Sequence, residues 1–209
     1  MRSTFAWPTA AGRAALVTVG VLALQGAFRR HVEAIKTLGA NAVEVRMPTD
    51  LDRIDGLILP GGESTAMSLL LGANGMTEPL RDLIGAGMPV FGTCAGMILM
   101  AERVLDGRDD LVRLSDVPMT VRRNGYGRQL ASFEADIAIS AEAEPFRAVF
   151  IRAPRVEAVG DDVEVLATVD RDPVLIRYKN VLASAFHPEL TPDTRLHEKF
   201  LRMIERARR

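Results

Sequence analysis

Pro89-Val90-Phe91-Gly92-Thr93-Cys94-Ala95-Gly96-Met97-Ile98-Leu99 is an apolar run that passes through two glycines and a cysteine without losing its hydrophobic character. The pattern predicts a buried strand over Pro89 to Gly92, a tight turn at Thr93-Cys94-Ala95-Gly96, and an apolar helix continuing to about Val104. A strand that turns into a helix across a nucleophilic side chain is the elbow of α/β hydrolases, where flanking glycines permit the tight turn. The partial positive charge of a helix N-terminus favours a nucleophilic thiolate there. Taken alone, the pentapeptide fits a glycine-rich turn around an incidental buried cysteine equally well.

Upstream of this elbow, the β-branched run Leu16 to Leu24 is broken by Gln25-Gly26, and Ala27 to Leu38 carries Phe28, Val32, Ile35 and Leu38 at helical spacing. Gly39 stops that helix; Ala42 to Val45 and Gly56 to Leu59 then read as short strands, apolar on both faces as a covered parallel sheet requires. Helices are expected at Ser64 to Leu71 and Glu78 to Ala86. Downstream, from about Met119, short alternating runs at Phe133 to Ile139, Val149 to Ile151, Val163 to Val169, Val174 to Tyr178 and Val181 to Phe186 predict antiparallel or mixed pairing. A closing helix is expected from Thr191 to about Arg206. The expected architecture is one α/β domain over 16–209, a three-layer mixed sheet with helices on both faces around a flavodoxin-like core.

Charge and composition narrow the ligands. The 26 Lys and Arg nearly balance 27 Asp and Glu, which gives no electrostatic footprint for nucleic acid or an anionic membrane. No apolar stretch approaches the length of a spanning helix. With one cysteine in 209 residues, an internal disulfide is excluded and a reducing, cytoplasmic setting fits. Residues 1–15 are acid-poor with Arg2 and Arg13; a disordered extension or an upstream start suits them better than a transit peptide.

Two further segments carry chemistry. His187-Pro188-Glu189 follows an apolar strand, so its imidazole stands at a strand end, where α/β sheets collect reacting groups, and a carboxylate two residues on can orient it. An exposed His-Glu turn is the plainer alternative, weakened because Cys, His and Glu arrive in hydrolase chain order. Leu59-Pro60-Gly61-Gly62-Glu63-Ser64 is another strand end followed by a helix start, with Ser64 or Glu63 as cap. If this loop faces Cys94, the Gly62 and Ala95 amides form an oxyanion hole; by itself it is equally a plain turn.

In combination, Gly92-Thr93-Cys94-Ala95-Gly96, Pro60-Gly61-Gly62-Glu63-Ser64 and Phe186-His187-Pro188-Glu189-Leu190 resemble class I glutamine amidotransferases. Leu24-Gln25-Gly26 with His31, Arg123-Asn124, Gly127-Arg128-Gln129, Ser132-Phe133-Glu134 and Phe150-Ile151-Arg152-Ala153-Pro154 are similar to the glutaminase subunits of pyridoxal 5'-phosphate synthases, from about Val19 to Met203. The resemblance implies Cys94 as nucleophile with His187 and Glu189 as partners. It also implies glutamine contacts at Gly62, Glu63, Ser64, Arg123, Ile151 and Arg152, with Arg152 or Arg123 facing the substrate α-carboxylate. A synthase subunit is implied as partner, in a double-ring assembly with glutaminases outside, and Gln25, Arg30 and His31 as candidate interface residues. No metal is expected, and no cofactor either, since pyridoxal 5'-phosphate is the product of such a complex.

The chain departs from that pattern at Arg30, in Asp106 to Asp116, at Tyr126 and in Asp170 to Asn180, none of which touches the expected triad. The competing readings are a glutaminase of another biosynthetic pathway, a stress protein with a similar elbow, and a catalytically silent scaffold. The stress proteins commonly carry histidine directly after the cysteine, where this chain has Ala95.

Overall fold

Hydrophobic runs that are apolar on both faces can only be satisfied by a sheet covered on both sides, and the middle of this chain builds one. The computed structural model describes residues 16–108, 110–125 and 132–209. The expected extension at 1–15, Tyr126 and Gly127-Arg128-Gln129 lie outside the described residues.

The elements run β1 (Thr18–Leu22), α1 (Phe28–Thr37), β2 (Asn41–Val45), β3 (Gly56–Leu59), α2 (Ser64–Ala73), α3 (Thr77–Gly85), β4 (Val90–Thr93), α4 (Ala95–Met100), β5 (Ala101–Val104), β6 (Val117–Arg122), β7 (Ser132–Ile137), β8 (Phe146–Ile151), β9 (Arg155–Val159), β10 (Glu164–Val169), β11 (Asp172–Tyr178), β12 (Val181–Ser184) and α5 (Arg195–Ala207). Seven strands form the main sheet in the order β10-β11-β12-β4-β3-β1-β2. The five from β12 to β2 are parallel, and β11 and β10 add an antiparallel edge. Strands β3, β4 and β12 are buried along their whole length. By contrast β2, read from its composition as covered on both faces, is the outermost strand and leaves Val43 exposed.

Adjacent side chains of β4 show where the helices lie. Phe91 packs on Phe200 and His197 of α5, whereas a Cβ on Gly92 would meet Met100 of α4. Successive strand residues point to opposite faces, so α5 and α4 cover opposite faces of the sheet. The expected three-layer mixed α/β architecture is thus present.

Several boundaries differ from the sequence reading. The helix after the elbow was expected to reach Val104, but it ends at Met100, and Ala101–Val104 is strand β5, paired parallel to β6. Together with β9 these form a second, three-stranded sheet, of which the periodicity gave no sign. The last helix begins at Arg195, not Thr191, because Asp193 accepts the Arg195 N–H at 3.1 Å and holds the preceding residues in a turn. The buried face of α5 comprises Leu196, His197, Phe200, Leu201 and Ile204.

Gly56 opens β3 directly beneath that face, and a Cβ there would stand 2.7 Å from Ile204 Cγ1 and 3.2 Å from Phe200 Cζ. Gly56→Ala should therefore lower the unfolding free energy by about 1–3 kcal/mol through overpacking. A shifted denaturation midpoint with an unchanged slope would show this, and an unshifted one would mean that α5 yields freely.

Candidate active site

Parallel neighbours in register end side by side, and this brings the three sequence segments together. Ser184 of β12 pairs with Thr93 of β4, and Leu59 of β3 pairs with Gly92, so the chains leaving β12, β4 and β3 emerge at one end of the sheet. The Cys94 N–H donates to the Ser184 carbonyl at 2.8 Å, and the His187 N–H to the Val149 carbonyl at 2.9 Å.

Cys94 sits between β4 and α4 with φ 49° and ψ −103°, a conformation that is strained for a residue with a Cβ. The flanking glycines allow the tight turn, since a Cβ on Gly92 would stand 2.8 Å from the Gly96 carbonyl carbon and one on Gly96 would overlap the Leu59 carbonyl, while the positive φ falls on Cys94 itself. Ala95 opens α4, so its N–H has no acceptor within the helix and remains available.

His187 lines the same cleft as Cys94 and, through Nδ1, pairs with Glu189 Oε1 at 2.8 Å on its other side. All three side chains are mostly buried, with Glu189 5% exposed behind the imidazole. Burial alone would push the His187 pKa down, but the neighbouring Cys94 and the bonded Glu189 outweigh it and raise it to about 10.

A cleft of about 190 Å³ opens over these groups, lined by Gly62, Glu63, Ser64, Cys94, Ile98, Arg123, Asn124, Ile151, Arg152 and His187. Every expected substrate contact is thus on one wall or another. Cys94 Sγ lies 4.0 Å from the Ile151 carbonyl oxygen. Arg152 adopts φ 44°, a second strained position at the same cleft. Glu63 caps α2 by accepting from the Thr65 and Ala66 N–H groups and also takes Arg123 Nη2 at 3.0 Å, so Arg123 already has a carboxylate partner. Those backbone N–H groups and Arg123 hold the Glu63 carboxyl below its usual range against the opposing effect of burial. Among the described residues Arg152 forms no ion pair, and no group of three or more His, Cys, Asp or Glu is arranged to hold a metal ion.

Two features escaped the sequence reading. Gly61, passed over in favour of Gly62, is the residue pressed against the site: a Cβ there would overlap His187 Cε1 and lie 3.2 Å from Cys94 Cβ. The glycine pair was visible in the sequence, but only the packing distinguishes its two members. The second concerns the residues read as interface. Arg30 is exposed, but His31 is fully buried and faces Glu189, so it offers no surface to a partner. Its place on the inner stripe of α1 beside Ile35 explains the inversion. Gln25 is half-buried and donates from Nε2 to the Glu63 carbonyl at 2.5 Å.

Residues 21–206 match the SNO glutamine amidotransferase family. This chain belongs to that family. Curated relatives named pyridoxal 5'-phosphate synthase subunit PdxT support the assignment. The protein of Mycobacteroides abscessus is 54% identical, covering 89% of this chain and 96% of its own length. That of Thermotoga maritima is 51% identical, covering 90% and 99%. A solved structure described as a glutamine amidotransferase superposes with TM-score 0.84 at 46% identity, over 90% of this chain and 98% of that one. PurLQS from Thermotoga maritima, at 17% identity and TM-score 0.63 over 93% of this chain and all of that one, shares the fold. As a family member the chain is a glutamine amidotransferase.

Gly61→Ala should cut glutamine turnover about 100-fold by displacing the imidazole, with little change in thermal stability; unchanged turnover would show the loop moving aside. The buried histidines set an acid limit. Burial and the neighbouring His31 hold His197 at about 3, and burial holds His31 low as well. His197 is neutral when folded but takes up a proton when unfolded below about 6.5, so its contribution to stability is full above that pH and is lost as pH falls toward 3, and the lowered pKa of His31 acts in the same direction. Chemical denaturation in a pH series should show this loss, and His197→Gln should make it shallower.

Proposed function

We propose that this chain hydrolyses L-glutamine to glutamate and ammonia through Cys94, His187 and Glu189, and passes the ammonia to a synthase subunit that makes pyridoxal 5'-phosphate. The observation that carries the reading is that Cys94 and His187 line one cleft with the other expected contacts, and Glu189 is bonded to His187 Nδ1 at 2.8 Å. The relatives' shared name as a pyridoxal 5'-phosphate synthase subunit supports the pathway and, through the word subunit, the partner.

In this mechanism the Cys94 sulfur attacks the carboxamide carbon, and the carbonyl oxygen becomes an oxyanion facing the Gly62 and Ala95 amides, each donor contributing about 3–4 kcal/mol. His187, which keeps its proton up to about pH 10, gives that proton to the nitrogen as the C–N bond breaks and ammonia leaves. A water then attacks the thioester, His187 takes its proton, and glutamate departs as the sulfur is restored. Glu189 holds the imidazole in orientation and favours its charged form. Arg152, with no carboxylate partner among the described residues, is the better placed of the two arginines for the substrate α-carboxylate, while Arg123 acts through Glu63.

Ammonia released into neutral water becomes ammonium and loses its nucleophilicity, which is the chemical reason for delivery to a docked acceptor enzyme. Of the residues first read as interface, half-buried Gln25 and exposed Arg30 remain candidate contacts for that partner. A reducing compartment such as the cytoplasm fits a nucleophile that must stay a thiol.

Cys94→Ala should abolish glutamine-dependent cofactor formation by the reconstituted complex while ammonium salts still support it. Glutaminase activity surviving in that variant would remove Cys94 from the mechanism.

A further inference from the structure

The chain has three histidines, and all three stand in one buried line with Glu189. Only His187 borders the cleft. Beyond it, Glu189 Oε2 is sealed from solvent and has no well-aligned hydrogen bond, but it faces His31 Nε2 at 3.3 Å. On the far side, His31 Nδ1 meets His197 Nε2 at 2.9 Å. The residues come from four separate places: His31 from α1, His197 from α5, Glu189 from the turn after β12, and Thr93, whose Oγ1 is 3.5 Å from His31 Nε2, from the end of β4. The glutaminase mechanism as stated uses neither His31 nor His197.

Resting on the glutaminase reading, we propose that His31 is a positioning residue for the triad carboxylate. Its Nε2–H holds the second oxygen of Glu189, and His197, donating from Nε2 to His31 Nδ1, fixes the one His31 tautomer that can do so.

Proton counting carries the assignment. Burial keeps both outer histidines neutral, so each has one N–H and one lone pair. If His31 carries its proton on Nε2, it donates toward the carboxylate, its Nδ1 accepts from His197 Nε2–H, and the group left over is a lone pair on His197 Nδ1. That atom is indeed buried without a partner. If instead His31 is protonated on Nδ1, its Nε2 lone pair faces the Glu189 oxygen at 3.3 Å, and an N–H is stranded on His197 Nδ1. In the second arrangement the Thr93 hydroxyl at 3.5 Å can donate to the Nε2 lone pair, but Glu189 Oε2 then has no donor and an unmatched N–H is buried on His197, and a lost donor is costlier than a lost acceptor. The first arrangement also has a chemical consequence. A carboxylate gripped at both oxygens cannot rotate, so Oε1 stays in line with His187 Nδ1 while the imidazole gains and gives up its proton.

Long-range ¹⁵N–¹H correlation spectra of the histidine-labelled full chain, free and with its synthase, test the tautomers directly. Both outer histidines should be neutral and protonated at Nε2; a His31 protonated at Nδ1 overturns the proposal. In the complex, His31→Leu should lower glutamine kcat about 100-fold with KM little changed, and His31→Gln, which returns an N–H donor at similar reach, should recover most of the loss. A folded His31→Leu at full kcat, or a His31→Gln no better than His31→Leu, would also overturn it. Should His31→Leu fail to fold, the native tautomers and His31→Gln still decide. The tautomer result does not depend on the substrate: if Cys94→Ala keeps its glutaminase activity the catalytic reading fails while the His31 tautomer can still be as assigned.

Discussion

A buried carboxylate must be given partners by the protein that encloses it, and Glu189 is the point from which the arrangement of this molecule is most easily understood. Its two oxygens face two imidazoles, His187 at 2.8 Å and His31 at 3.3 Å. Burial raises the pKa of such a carboxyl, yet the hydrogen bond from His187 leads the effects that bring that of Glu189 below its usual value. Helix α1, helix α5 and β4 each bring one side chain to this spot and the turn after β12 brings His187 and Glu189, so the polar centre also ties both a helical layer and the sheet to the site.

Two of the strained positions of the chain lie beside this centre. Cys94 and Arg152 both hold positive φ at the cleft, and each is fixed by rigid surroundings: Cys94 by the β4–α4 junction and Arg152 by the end of β8. Strained residues persist where the surrounding packing leaves no other conformation, and here the glycines at 61, 92 and 96 allow that packing to close in. A side chain presented in this way needs no movement of its own strand or helix to face a ligand in the cleft.

The family's relatives cover nearly their whole lengths, so the departures noted in the chain concern detail and not architecture. Arg30 stands outside on α1, while its neighbour His31 is turned fully inward. One helix can therefore face solvent with one residue and support the buried centre with the next, because consecutive helical positions are about 100° apart.

Local patterns in the sequence were enough to establish the covered parallel sheet, the elbow at Cys94, and the three loops that meet at the cleft. Apolar runs and glycine breaks report directly on strands and turns, and parallel strands in register end together. The second sheet was not legible: Ala101-Glu102-Arg103-Val104 continues the composition of a helix, and only pairing with β6 makes it a strand. Nor was the inward aim of His31, whose contact with His197 spans 166 residues. A histidine on an amphipathic helix carries no mark of which way it faces until another helix, with its own histidine, packs against it. The tertiary structure decided that, because the cost of an unpartnered buried charge is set by everything that encloses it.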